Sequence, residues 1–144
     1  MTGDQFLTLS GKLVAGTQSG PAEYRTALSR AYYGAFHIAI VFLAELGITL
    51  PRDHGEVCRC LYESGDPDCT EAGRKLSDLQ SVRVRADYRL DDSTVERSLA
   101  ARLGLENAHE IRSLLDRCRQ EPRSVAIKAG IEAYRRRISP RGST

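Results

Sequence analysis

No C-x-x-C pair, no glycine-rich phosphate loop, no G-x-S-x-G elbow and no uninterrupted apolar run of membrane-spanning length occurs in the 144-residue sequence. The four cysteines, Cys58, Cys60, Cys69 and Cys118, offer only a C-x-C inside a helical pattern, a poor zinc signal. They read as reduced thiols of a cytosolic protein. Neither His54 nor His109 sits in a recognisable zinc-ligand pattern, so no metal and no other cofactor is expected. The missing loop and elbow exclude P-loop and serine-hydrolase chemistry. The most apolar run, "AFHIAIVFLAELGI", carries His37 and Glu45 and is too short to span a bilayer. No signal-peptide pattern precedes it, and the expected location is cytoplasmic, away from membranes.

Lysine is scarce, three against eighteen arginines, and the net charge is only +2. The molecule as a whole is therefore no magnet for polyanions. Arginine suits bidentate phosphate or carboxylate contacts, although coding bias in a GC-rich genome gives the same composition. Apolar residues make up 41% and charged residues 28%, an ordinary balance for one domain, assigned to residues 1–138 with a disordered tail at 139–144. A domain of this length buries roughly two-thirds of the surface its unfolded chain exposes and needs no metal or disulfide to hold a core.

Strand alternation is nearly absent, and apolar residues recur at three and four. The spacing predicts a helix over 4–15, capped by Asp4, with Phe6, Leu9 and Leu13 on one face and Gly16 at its end. A second helix covers 21–46, with Pro21 in its first turn and Gly47 after its end. Ala31, Ala35, Ile38, Phe42 and Leu46 form its stripe, and the surface is apolar nearly all round from Ile38 to Leu43, which places that half centrally. A third helix is expected over 53–63 with Val57 and Leu61 inward, and a fourth over 69–88 with Ala72, Leu76, Leu79, Ala86 and either Val82 or Arg83 on one side. Ser93-Thr94-Val95-Glu96 reads as a capping box opening a fifth helix that runs through Leu99, Leu103, Ile111, Leu114 and Leu115 to about 119, with Gly104 a weak point. Pro122 opens a last amphipathic helix through Val125, Ile127, Ile131 and Tyr134. The fold class is all-α: an up-and-down bundle of four to five main helices plus a C-terminal helix.

Two stretches carry chemistry. Arg30, Tyr33, Gly34, His37 and Val41 share one face of the second helix by their spacing. They are either a polar row or core residues bonded locally. In "SVRVRADYR", residues 81–89, Arg83 and Asp87 are four apart, and Arg85 lies between. Arg83 falls on or beside the apolar stripe of its helix, where an unpaired charge is very costly. Asp87, Tyr33 or Tyr88 can partner it.

Three blocks together resemble the HEPN family, the higher-eukaryote-and-prokaryote nucleotide-binding helical domains, in its small stand-alone bacterial and archaeal subgroup. They are "YRTALSRAYYGAFHIA" at 24–39, similar to R-x-A-x-x-R-A-Y-Y-A-x-F-H; His54 with Val57, similar to H-x-x-V; and "LQSVRVRADY" at 79–88, similar to L-x-x-x-R-x-x-A-D-Y. The resemblance covers about 20 to 118. It implies a bundle that often forms a homodimer. Many HEPN domains are metal-independent RNases of toxin–antitoxin or defence systems, often beside a nucleotidyltransferase partner. In their site an arginine holds the RNA phosphate, and a histidine that follows after four to six intervening residues assists the 2′-OH.

Here the position after Arg83 and four residues is Tyr88, and no histidine follows until His109. A tyrosine of ordinary pKa is ionised in only about one molecule in a thousand at pH 7, so it is a poor general base. The resemblance thus implies Arg83 and Tyr88 as a variant catalytic pair, with Arg30, Tyr33, His37, Arg85 and Asp87 as a nucleic-acid-binding or polar set. The expected function is a module that binds nucleic acid, nucleotide or a partner through a degenerate RNase motif. The competing reading is an active RNase using the variant pair; a purely structural dimer is the third.

Overall fold

The structure, a computed structural model, describes residues 1–139. Six α-helices form it: α1 (Gly3–Ala15), α2 (Pro21–Glu45), α3 (His54–Tyr62), α4 (Pro67–Tyr88), α5 (Ser98–Arg117) and α6 (Arg123–Ile138), with a 3₁₀ turn at Ser93–Val95 before α5. No strand occurs among the described residues. The all-α bundle expected from periodicity is therefore present. Of the expected tail, Ser139 follows α6 and residues 140–144 lie outside the described residues.

α2 is the centre, packed against α1, α4 and α5. Ala31, Ala35 and Phe42 are fully buried, and Ile38 and Leu43 nearly so. α2 is long and apolar enough to cross a membrane by length and composition, but 67% of its most apolar window is buried inside the bundle. That is what a central helix needs when most of its surface meets other helices. Past its end, Gly47 takes φ +81°, a left-handed turn that glycine adopts without strain.

Small residues set how closely the helices cross. A Cβ on Gly34 would lie 2.5 Å from Leu7 Cδ2 and 2.9 Å from the Gly3 carbonyl oxygen. The α1–α2 crossing thus depends on a missing side chain. Gly34→Ala is expected to cost about 1–3 kcal/mol through overpacking, measured by urea unfolding; an unchanged midpoint would show that α1 yields freely.

Four local expectations are corrected. α1 begins at Gly3, after Thr2, and its buried positions are Gly3, Leu7 and Ser10, while Leu9 is exposed. Ser10 Oγ donates to the Ala27 carbonyl at 2.8 Å, so a buried polar residue, invisible to an apolar pattern, docks this helix. The buried face of α5 is Ala101, Gly104, Ala108, Ile111, Leu114 and Leu115, with Leu99 and Leu103 exposed. Gly104 is a contact point: a Cβ there would meet Leu28 Cδ2 at 2.5 Å. Val125 on α6 is likewise exposed.

The fourth correction is the capping box. Ser93–Val95 is its own 3₁₀ turn, capped by Asp92, whose Oδ1 accepts from the Thr94 N–H at 3.0 Å, and the N-cap of α5 falls at Arg97 instead of Ser93, so that the helix starts at Ser98. The Glu96 N–H donates to the Ser93 carbonyl at 3.1 Å, but its side chain does not turn back to the Ser93 N–H. Its carboxylate accepts from Arg25 Nε at 2.8 Å. A tertiary charge-assisted bond has taken the side chain that the local motif would use.

Candidate functional site

The site begins with how the C-terminal end of α4 is held. The last carbonyls of a helix lack intrahelical partners. Arg25, buried on α2, serves this end and the turn beyond it: Nη1 donates to the Ala86 carbonyl at 2.8 Å and, at 3.2 Å, to that of Arg85, which also accepts from the Arg89 N–H, and Nη2 donates to Asp92 at 2.8 Å and Leu90 at 3.3 Å. With Glu96 on Nε, every face of the guanidinium fork is used. This fixes the turn after α4 and so the depth at which Arg83 and Tyr88 sit.

Arg83 lies against aromatic rings. Its guanidinium carbon is 5.1 Å from the Tyr32 ring centre, 5.3 Å from Tyr33 and 5.9 Å from Tyr88. These distances are within cation–π range. Its side chain is only 11% exposed, and Nη1 reaches Asp87 Oδ2 at 3.5 Å. Nε is buried with no hydrogen-bond partner. Of the partners open from the sequence, the structure uses Asp87, Tyr33 and Tyr88 together and adds Tyr32.

Arg30 joins the same cluster from α2. Its guanidinium carbon sits 5.0 Å from the Phe6 ring and 5.2 Å from the Tyr33 ring, so Tyr33 is shared by two cations. Arg30 Nη2 donates to Ser29 Oγ at 3.3 Å, and that hydroxyl donates to Asp87 Oδ2 at 3.1 Å. Two guanidiniums thus converge on one carboxylate. Arg83 meets it directly and Arg30 only through the Ser29 hydroxyl.

On the far side of Tyr32, its hydroxyl lies 2.7 Å from His54 Nδ1, and His54 Nε2 lies 3.4 Å from Cys58 Sγ. Burial, and then the charge of Arg83, hold the His54 imidazole below its usual pKa, with Asp53 acting the other way. Burial raises the Tyr32 phenol well above its ordinary value and pushes the Cys58 thiol up to about 12. At neutral pH the trio is therefore an uncharged hydrogen-bonded wall behind Arg83.

The structure thus brings Arg83, Tyr88, Arg30, Tyr33 and Asp87 together. It leaves out two residues of the expected set. His37 stacks on Phe6, 5.9 Å between centres, and opens on a groove beside Thr2, Asp4 and Arg112; burial and the charge of Arg52 lower its pKa. Arg85 turns to Asp92 at 3.7 Å and lines an apolar groove with Val82 and Leu103. Sequence reasoning missed Tyr32, Ser29, His54 and Arg25. The quoted blocks contain all four, but nothing in one-dimensional spacing says that α3 brings His54 to Tyr32, or that Arg25 caps α4 more than sixty residues away.

No group of three or more metal-binding side chains occurs among the described residues. The arrangement can hold an anion by a stacked, partly unpartnered guanidinium. It offers no activated thiol, since burial raises the pKa of all four cysteines. No protein-family model matches the chain, and comparison with curated proteins and with solved structures finds no match.

Proposed function

We propose that the chain is a HEPN-like nucleic-acid-binding module with a degenerate RNase motif, and that the Arg83 cluster takes the phosphate backbone of a single strand. The observation that carries this reading is the buried, unpartnered Nε of Arg83. A buried donor left without a partner costs free energy, and the Nη1 end of the same guanidinium, which meets Asp87 only at 3.5 Å, is where a phosphate oxygen would bond. Tyr88, 70% exposed beside that guanidinium, adds a ring on which a base can stack. From the resemblance come the remaining parts of the proposal: a homodimer in the cytoplasm, acting with a nucleotidyltransferase-type partner in a toxin–antitoxin or defence system.

The alternative, an active metal-independent RNase, gains one observation: His54 is biased toward the neutral form and feels the charge of Arg83. Its geometry speaks for the binding reading. Nδ1 is occupied by Tyr32 and Nε2 faces Cys58, so neither ring nitrogen is aimed at an incoming 2′-OH.

Fluorescence anisotropy with a labelled single-stranded RNA tests the proposal. Binding is expected to weaken steadily with salt, and Tyr88→Ala to weaken it by about 1–3 kcal/mol. Incubation with RNA in EDTA is expected to leave the strand intact. Cleavage that survives EDTA and is lost in His54→Ala would replace the binding reading with the catalytic one. No association at any salt concentration would end both.

A further inference from the structure

The Arg83 cluster contains more positive than negative charge, and its one negative group is the least fixed. Arg83 is 11% exposed and clasped by three rings, whereas the Asp87 side chain is 29% exposed and sits at the open rim. The Arg83–Asp87 contact, at 3.5 Å, is at the outer limit of a hydrogen bond. Asp87 is held better by Ser29 at 3.1 Å, and Ser29 is tied in turn to Arg30. A carboxylate in this position meets one guanidinium directly and the other through a hydroxyl. That is the pattern of donors an oxyanion of a ligand would meet. Arg83 cannot follow a moving partner without giving up its stacking, but Asp87 can turn into water at little cost, because a partly exposed ion pair contributes little.

We infer that Asp87 is a built-in competitor for the ligand's anion: a phosphate of single-stranded RNA reaches Arg83 and Arg30 by displacing this carboxylate. The inference rests on the nucleic-acid reading above and adds its regulation. In the free protein Asp87 partly neutralises the two arginines and disfavours weak anions. A chain of phosphates, engaging Tyr88 and the neighbouring arginines at the same time, displaces it. A lone phosphate has only the local contact with which to compete.

The test compares wild type with Asp87→Asn, which keeps the shape and the Ser29 contact but loses the charge, and with Asp87→Ala, which also empties the place. Two probes are used: a fluorescein-labelled oligouridylate with a 5′-hydroxyl, and uridine 5′-monophosphate as competitor. Both variants are expected to bind the oligouridylate about three- to five-fold tighter than wild type at low salt. Arg83→Lys in the Asp87→Asn background is expected to remove the gain, since an ammonium lacks the planar fork. Thermal melts followed by circular dichroism establish that each variant is folded. If wild type binds the oligouridylate and neither Asp87 variant binds tighter, the inference is overturned and the nucleic-acid reading stands. If wild type and both folded variants bind neither probe, both fall. A gain seen with uridine monophosphate alone overturns the assignment to an RNA chain.

Discussion

Replacing Arg25 by alanine is expected to destabilise the fold by about 3–5 kcal/mol, lowering the thermal midpoint by roughly 10–15 °C. The magnitude follows from what the side chain leaves behind. The carbonyls of Ala86, Leu90 and Asp92 lose their side-chain donor, that of Arg85 keeps only the Arg89 N–H, and Glu96 loses its counter-ion. The Arg25 side chain is 9% exposed and that of Glu96 27%, so water cannot simply take the arginine's place. Arg25→Lys is expected to recover only part of the loss, because three tetrahedral donors cannot reach both carbonyl pairs and a carboxylate. Urea unfolding gives the total. Hydrogen exchange gives the location: the amides of 86–92 are expected to lose protection first. A loss under about 1 kcal/mol would show that solvent re-satisfies these groups, and that the end of α4 does not depend on α2.

Phe42→Ala is expected to cost about 3–5 kcal/mol, the transfer free energy of the ring plus the cavity it leaves. Phe42 is fully buried on α2 and belongs to the main core, with the Arg119 guanidinium carbon 5.8 Å from its ring centre. The adjacent Val41 is 52% exposed. Val41→Ala is therefore expected to stay within about 0.5 kcal/mol. The pair tests the facing of α2 directly, since two neighbouring apolar residues should differ several-fold in cost. Equal losses at 41 and 42 would mean that Val41 is covered in solution by something outside the chain, a second copy included.

These two variants bear on the site as well as on the core. Arg25 sets where α4 stops, and therefore how Arg83 and Tyr88 are presented. Phe42 anchors the other half of the helix that supplies Ser29, Arg30, Tyr32 and Tyr33. Loss of RNA association in either variant is expected to follow the fraction unfolded, whereas Tyr88→Ala should weaken association with little change in melting. That contrast separates scaffold from surface.

The apolar periodicity of the sequence by itself determined the helices, their approximate ends and the central place of α2, because a near-continuous apolar surface from Ile38 to Leu43 can be covered only from several sides. It also marked Arg83 as an arginine in need of a partner. The tertiary structure decided where local signals compete with distant ones. The box at Ser93–Glu96 is a sound local cap, yet Glu96 went to Arg25, since a charge-assisted bond at a partly buried place outweighs an exposed cap. Leu99 and Leu103 fit a helical stripe, yet α5 turns Ala101 and Gly104 inward, because close crossing with Leu28 of α2 needs small residues. The Arg83 cluster divides in the same way. Asp87 and Tyr88 lie within five residues of Arg83, near enough in sequence for helical spacing to propose them. Tyr32, Ser29 and His54 come from α2 and α3, and only packing brings them to the site, because sequence spacing carries no information about which faces of separate helices meet.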